Sequence, residues 1–292
     1  MEEQSINLTD LILKTINEIF SKLFSSIDNT IYSLLDNIAF ITPDILQNNS
    51  IKKIIGESNY SGILLICNSL VFGFIIYYSI NYLISHITYS KIDSPKQFIF
   101  KSIIFIAIMN SSIWICEEII NFISLITNTL SDISNNLFGC TISFSNFIEN
   151  LNKIIYLNNS TFDIFSFDGI VKSFISTGMV NLILTFSLRY IMVQIFILIS
   201  PFAFLSLILN SSEWFFKIWL KTFLGLLFTQ IFVAILLLLS FSLDSTFPNS
   251  ITELLYIGII FALSKSNNYM KELFGGISTN INMQFSKFSK TY

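Results

Sequence analysis

Four stretches of this chain, residues 61 to 85, 98 to 120, 174 to 209 and 217 to 243, are long and apolar enough to cross a bilayer, whose hydrocarbon core takes about 20 residues of helix. Lipid restricts what such stretches can become. With no water to receive backbone N–H and C=O groups, a spanning segment must be helical or part of a closed barrel, and long uninterrupted apolar runs without alternation are helical. A shorter stretch, 252 to 264, joins them if Glu253 and Lys265 lie at the headgroups. Composition agrees: 53% of the 292 residues are hydrophobic and 12% charged, about half the charged fraction of a soluble domain. The expectation is an all-α, polytopic integral membrane protein with about five transmembrane helices.

An amphipathic helix is expected ahead of the spans, because apolar residues recur at Leu8, Ile12, Ile16, Ile19, Leu23, Ile27, Ile31 and Leu34, steps of three or four that place them on one helical face. Pro43 ends this pattern. The opening Met1-Glu2-Glu3 lacks a basic flank and a short apolar core, so no cleaved signal peptide is expected. The resulting division is an outer amphipathic segment (1–59), the first two spans (60–126), an outer loop (127–172), three further spans (173–265) and a cytoplasmic tail (266–292).

Orientation follows from the lysines. The 174–209 segment would reach roughly 54 Å as one helix, against a core near 30 Å, so it must kink, project or fold back, and Pro201 is the expected kink. If it crosses once with the N-terminus outside, nine lysines collect on the cytoplasmic side, among them Lys91, Lys96, Lys101, Lys217 and Lys221. Six fall outside over a longer length, and a hairpin would move Lys217 and Lys221 outward. Positive residues favour the cytoplasmic side. The expected location is therefore the cytoplasmic membrane, multi-pass, with the N-terminus outside and the C-terminus inside.

Few residues offer chemistry. His86 is the only histidine, the ten glycines form no phosphate-binding loop, and Cys67, Cys116 and Cys140 suggest no disulfide framework. No metal, cofactor or catalytic site is expected, and the chain is not read as an enzyme. Arg189 stands out, since a guanidinium at mid-span costs at least about 2.5 to 3.5 kcal/mol and it is the only arginine beside fifteen lysines. Thr177, Asn181, Thr185 and Arg189 recur every four residues and form a polar stripe over roughly 120° of a helix, suited to lining a conduit or to helix packing. Asn110, Ser111 and Ser112 offer partners at similar depth, and Gln230 reads as an interhelical hydrogen-bonding residue. Glu117 and Glu118 are expected at the outer end of the second span, and Trp114, Trp214 and Trp219 at the interfaces. The outer loop carries Lys153 alone as a basic residue, a poor nonspecific DNA clamp.

From Arg189 onward these features form a pattern: an intramembrane arginine, then Ile199-Ser200-Pro201-Phe202-Ala203, a short inner turn with Trp214, and Trp219 leading into an apolar helix that contains Gln230. This stretch resembles the TrbL/VirB-type polytopic inner-membrane subunit of type IV secretion and conjugation machines. The resemblance implies a membrane channel or platform subunit that forms homo-oligomers among lipids and other secretion-system membrane subunits. It would help pass DNA or protein across the cytoplasmic membrane while a separate ATPase supplies energy. Against it stand a stand-alone small-solute transporter, which should show inverted repeats and broken helices about a midplane site, and a structural membrane scaffold.

Overall fold

The computed structural model describes Thr15 and residues 29–56, 62–89, 94–156, 167–243 and 249–274. The expected amphipathic helix before residue 29, the loop residues 157–166 and the tail from 275 lie outside the described residues. Among the described residues every regular element is helical: α1 (Asn29–Ala39), α2 (Asn49–Ile55), α3 (Ile63–Thr88), α4 (Pro95–Asn110), α5 (Ser112–Phe138), α6 (Phe144–Tyr156), α7 (Phe167–Leu205), α8 (Glu213–Ser242) and α9 (Asn249–Phe274), with short 3-10 turns at Pro43–Gln47 and Ser206–Ile208. Four helical stretches are long and apolar enough to span a bilayer: Ile63–Thr88, Ser112–Phe138, Thr177–Ile208 and Glu213–Ser242. The chain is an all-α polytopic membrane protein.

Local sequence sets the helix ends. Ser94 and Gln97 form a reciprocal capping box ahead of α4, with Pro95 in the first turn, where its missing N–H has no partner to lose. Asn48 caps α2 through its side-chain oxygen, which accepts from Ser50 N at 2.9 Å. Between α2 and α3 the chain doubles back through Gly62, at φ +151°, where an added Cβ would lie 2.6 Å from Ile54 O. Only glycine fits there.

The expected second span, 98 to 120, is divided between two helices. A break at Ser111 (φ −94°, ψ 8°) separates α4 from α5, and α5 continues to Phe138. Hydropathy falls after residue 120, yet Ile120, Ile123, Thr127 and Ser134 are buried along one side of α5, so packing against α8 carries the helix on. The region expected to be a loop thus holds the last turns of α5 and all of α6. The expected fifth span lies inside α9, which is less apolar and runs antiparallel to α8: Tyr256 Oη donates to Ser240 O at 3.4 Å, and Phe274 meets Phe228 with ring centroids 4.9 Å apart.

The long third segment is one helix. α7 runs unbroken from Phe167 to Leu205 with Pro201 inside it, so the hairpin alternative does not occur. It is the hub of the bundle, packing on α1, α3, α4, α5, α8 and α9. α9 approaches closely at Gly178, where an added Cβ would lie 2.5 Å from Ile260 Cγ2.

Two apolar clusters fill the interior. One joins Leu35 and Ala39 of α1 with α6, the first half of α7 (Phe186), the second half of α8 (Val233) and α9. The other joins Ile41, Ile45 and Leu46 with α3, α4, α5, the second half of α7 (Val193) and the first half of α8 (Leu227). α1 and the turn after it therefore insert into the bundle rather than lie on a surface. Leu35 and Ala39 of α1, and Ile41, Ile45 and Leu46 after the helix breaks at Phe40, are buried, whereas Leu34 is exposed.

Candidate functional site

The seam between the two clusters is polar. Ala39 belongs to one cluster and Ile41 to the other, and between them the chain leaves helical geometry. Breaking a helix frees backbone groups that have no intrahelical partner, and in a membrane interior each must find another. Here two side chains supply them. Arg189 Nη2 on α7 donates to Ala39 O at 2.6 Å, and Ile41 N donates to Gln230 Oε1 on α8 at 2.9 Å. Gln230 Nε2 then donates to Thr127 Oγ1 on α5 at 3.2 Å, and Thr127 Oγ1 donates to Ile123 O at 3.0 Å. One network thus ties α1, α5, α7 and α8 together at the middle of three spans.

Arg189 is 1% exposed. Its charge meets the C-terminal end of α1, where the carbonyls carry partial negative charge, and its Cζ lies 5.7 Å from the Phe186 ring centroid, within cation–π range. Nε and Nη1 have no hydrogen-bond partner. The residue fills packed interior.

The rest of the predicted stripe does not gather with it. Thr177 and Asn181 are exposed, and Thr185 is half-buried with its hydroxyl donating to Asn181 O at 2.7 Å. A stripe stepping by four drifts around the helix, so its far end turns away from the centre. Asn110 pairs not with that stripe but with Asn68 of α3, Asn68 Nδ2 donating to Asn110 Oδ1 at 3.2 Å.

Pro201 is buried near the end of α7. Close by, Trp219 Nε1 donates to Phe196 O at 2.9 Å. Trp219, expected at an interface, is 2% exposed, edge-on to Phe204 of α7 and stacked on Phe223 of α8. Its N–H has a protein carbonyl to bond, which makes burial affordable. Trp114 and Trp214 are 62% and 61% exposed. Glu117 is half-buried and Glu118 exposed, but neither ends its helix, since α5 continues to Phe138.

Three participants escaped the sequence reading. Thr127 was assigned to a loop, and the backbone of Ala39 and Ile41 carries no side-chain signal. Asp36 is the third: its carboxylate accepts from Phe144 N at 2.6 Å and from the Ser145 hydroxyl at 3.2 Å, capping α6 from a neighbouring helix. Burial raises its pKa, and the bonds from Phe144 and Ser145 partly offset that. Apart from this network, an apolar crevice of about 490 Å³ lies between α3 and α4, beside Tyr78, Phe98 and Ser102.

The fold and this network define a membrane-embedded helical bundle with a buried polar clamp and, among the described residues, no group of metal-ligating side chains. No family model, curated protein or solved structure matches the chain.

Proposed function

We propose that this chain is a membrane-embedded platform or channel subunit of a type IV secretion or conjugative DNA-transfer apparatus, assembling from several copies and helping pass DNA or protein across the cytoplasmic membrane. One observation carries the reading: the residues on which the resemblance rests act as a structural unit. Arg189 and Gln230 grip the same backbone segment, Ala39 to Ile41, and Trp219 braces α7 one turn from Pro201. A motif that organises a whole bundle fits a subunit whose task is to hold a fixed shape within an assembly. ATP hydrolysis then belongs to a separate partner.

Because Arg189 is buried in the packed interior, the proposed path for cargo does not run past it. Deleting the gene from a donor cell should lower DNA transfer by orders of magnitude, with recovery on complementation; undiminished transfer refutes the proposal. The broken backbone at Phe40 to Thr42 favours a second reading, since transporters place discontinuous helices around a midplane site. In this chain, however, Arg189 and Gln230 already occupy the freed groups at Ala39 and Ile41. Solute uptake by vesicles containing the purified chain alone would favour the transporter.

A further inference from the structure

The crevice of about 490 Å³ between α3 and α4 falls within the range of about 300 to 1,000 Å³ that holds a small ligand. Ile75, Tyr78 and Tyr82 of α3 and Phe98, Ser102 and Ile106 of α4 line it. The two helices are tied together by Tyr78 stacked on Phe98, with centroids 3.7 Å apart and 2° between the planes, and by Asn68 bonded to Asn110. Ser79 and Ser102 put small side chains on the walls where larger ones would fill the gap.

The bundle itself fixes the depth of this crevice. Residues 209–212 join two helical stretches that are each long and apolar enough to span, Thr177–Ile208 and Glu213–Ser242, so that turn lies at a membrane surface. Lys101 Nζ of α4 donates to Asn210 Oδ1 in the turn, which sets the first half of α4 at the same level. From there the crevice reaches inward along α4 to Ile106, about 16 Å from Pro95 at 1.5 Å per residue. Ile76, Leu83, Ile99 and Ile103 on the same two helices are 58% to 66% exposed, so the apolar walls continue onto apolar surface. α3 and α4 carry no aspartate or glutamate, and their only cationic residues, Lys96 and Lys101, stand in the first half of α4. Lys96 is exposed, and an ammonium has three donors, so the bond from Lys101 to Asn210 leaves it able to donate to a phosphate oxygen. The linker between the two helices adds one charge of each sign, Lys91 and Asp93.

We propose that the α3–α4 crevice is a binding site for one anionic phospholipid, whose acyl chain lies between Tyr78 and Ile106 while its phosphate meets Lys96 and Lys101. Lipid tails are as apolar as the walls, so burying the chain does not choose one lipid over another. The headgroup charge makes that choice, since basic residues between helices at the membrane surface attract anionic lipid. The site stands independently of the proposed function.

The test uses the full chain reconstituted in vesicles of phosphatidylethanolamine and phosphatidylglycerol. Trace phosphatidylglycerol or phosphatidylcholine carries a photoreactive group on an acyl chain, and mass spectrometry maps the labelled peptides. Labelling of residues 75–83 and 98–106 should favour the phosphatidylglycerol probe about five-fold, while Ile235 and Leu239 on the exposed face of α8, 47% and 52% exposed, take both probes equally. Lys96→Gln with Lys101→Gln should bring the ratio in the crevice to about one, because the attraction at the surface follows the basic residues. Ser79→Trp should remove crevice labelling by both probes and leave that of α8 unchanged. A crevice ratio equal to that of α8 in the unaltered chain overturns the site, leaving only bulk lipid around the helices. Absence of label from the crevice overturns it as well, whether another segment of this chain or a second copy fills the space. Should Ser79→Trp fail to fold, the ratio in the unaltered chain and its response to the lysine changes decide alone. Lost DNA transfer on gene deletion together with an unlabelled crevice would remove this inference and leave the proposed function standing.

Discussion

Among the described residues Arg189 makes one hydrogen bond, to Ala39 O, from a position that is 1% exposed, and its burial makes sense only with the helix end it caps. Removing it leaves that carbonyl unpaired in the interior, an expected loss of about 1 to 3 kcal/mol. Gln230 holds the next free group, Ile41 N, and its removal is expected to cost a similar amount. Thermal midpoints in detergent should fall for Arg189→Leu and Gln230→Leu, with Arg189→Lys intermediate because an ammonium keeps the charge and a donor but not the planar fork. The double variant should lose less than the sum of the two, since each change releases the same segment. Unchanged midpoints in Arg189→Leu and Gln230→Leu would show that the clamp contributes nothing. Mid-span position marked both residues in the sequence as needing partners; which partners they found was invisible, because a backbone carbonyl 150 residues away carries no residue-type signature.

At the scale of helices, α7 and α9 approach closely at Gly178, and the approach depends on the missing side chain. Ile260 is 3% exposed and β-branched, so its Cγ2, 2.5 Å from where a Cβ would stand, cannot swing aside. Gly178→Ala is therefore expected to destabilise by about 1 to 3 kcal/mol through overpacking. Ile260→Ala alone should destabilise through a cavity, and the pair should lose less than the two changes summed. Strict additivity in detergent melts would mean that the helices do not meet there. Helix existence was legible along α3, α7 and α8, where apolar runs speak for themselves. The extent of α5 was not, because its second half is amphipathic and remains helical through contacts on its buried side.

For the whole molecule, orientation is the property with the most direct test. The lysine distribution predicts that reporters fused at Lys217 and after Lys265 lie in the cytoplasm, and that one at Glu149 lies outside. Alkaline phosphatase and green fluorescent protein fusions should give opposite signals at these places, and a cytoplasmic signal at Glu149 would invert the topology. The continuous α7 fits the single crossing on which this prediction rests.

The sequence by itself determined that this chain leaves water for lipid, that it does so as helices, and that Arg189 and Gln230 cannot face acyl chains. These are consequences of transfer free energy summed along a strand of residues, which needs no knowledge of neighbours. Only the tertiary structure decided that the segment after α1 is buried at the centre of the bundle, that Trp219 turns inward, and that Ile120, Ile123 and Thr127 are the buried side of α5. Lipid tails are as apolar as leucine, so hydrophobicity does not choose how helices rotate and pair within the membrane. Packing and hydrogen bonds make that choice, and they depend on residues far apart in the chain.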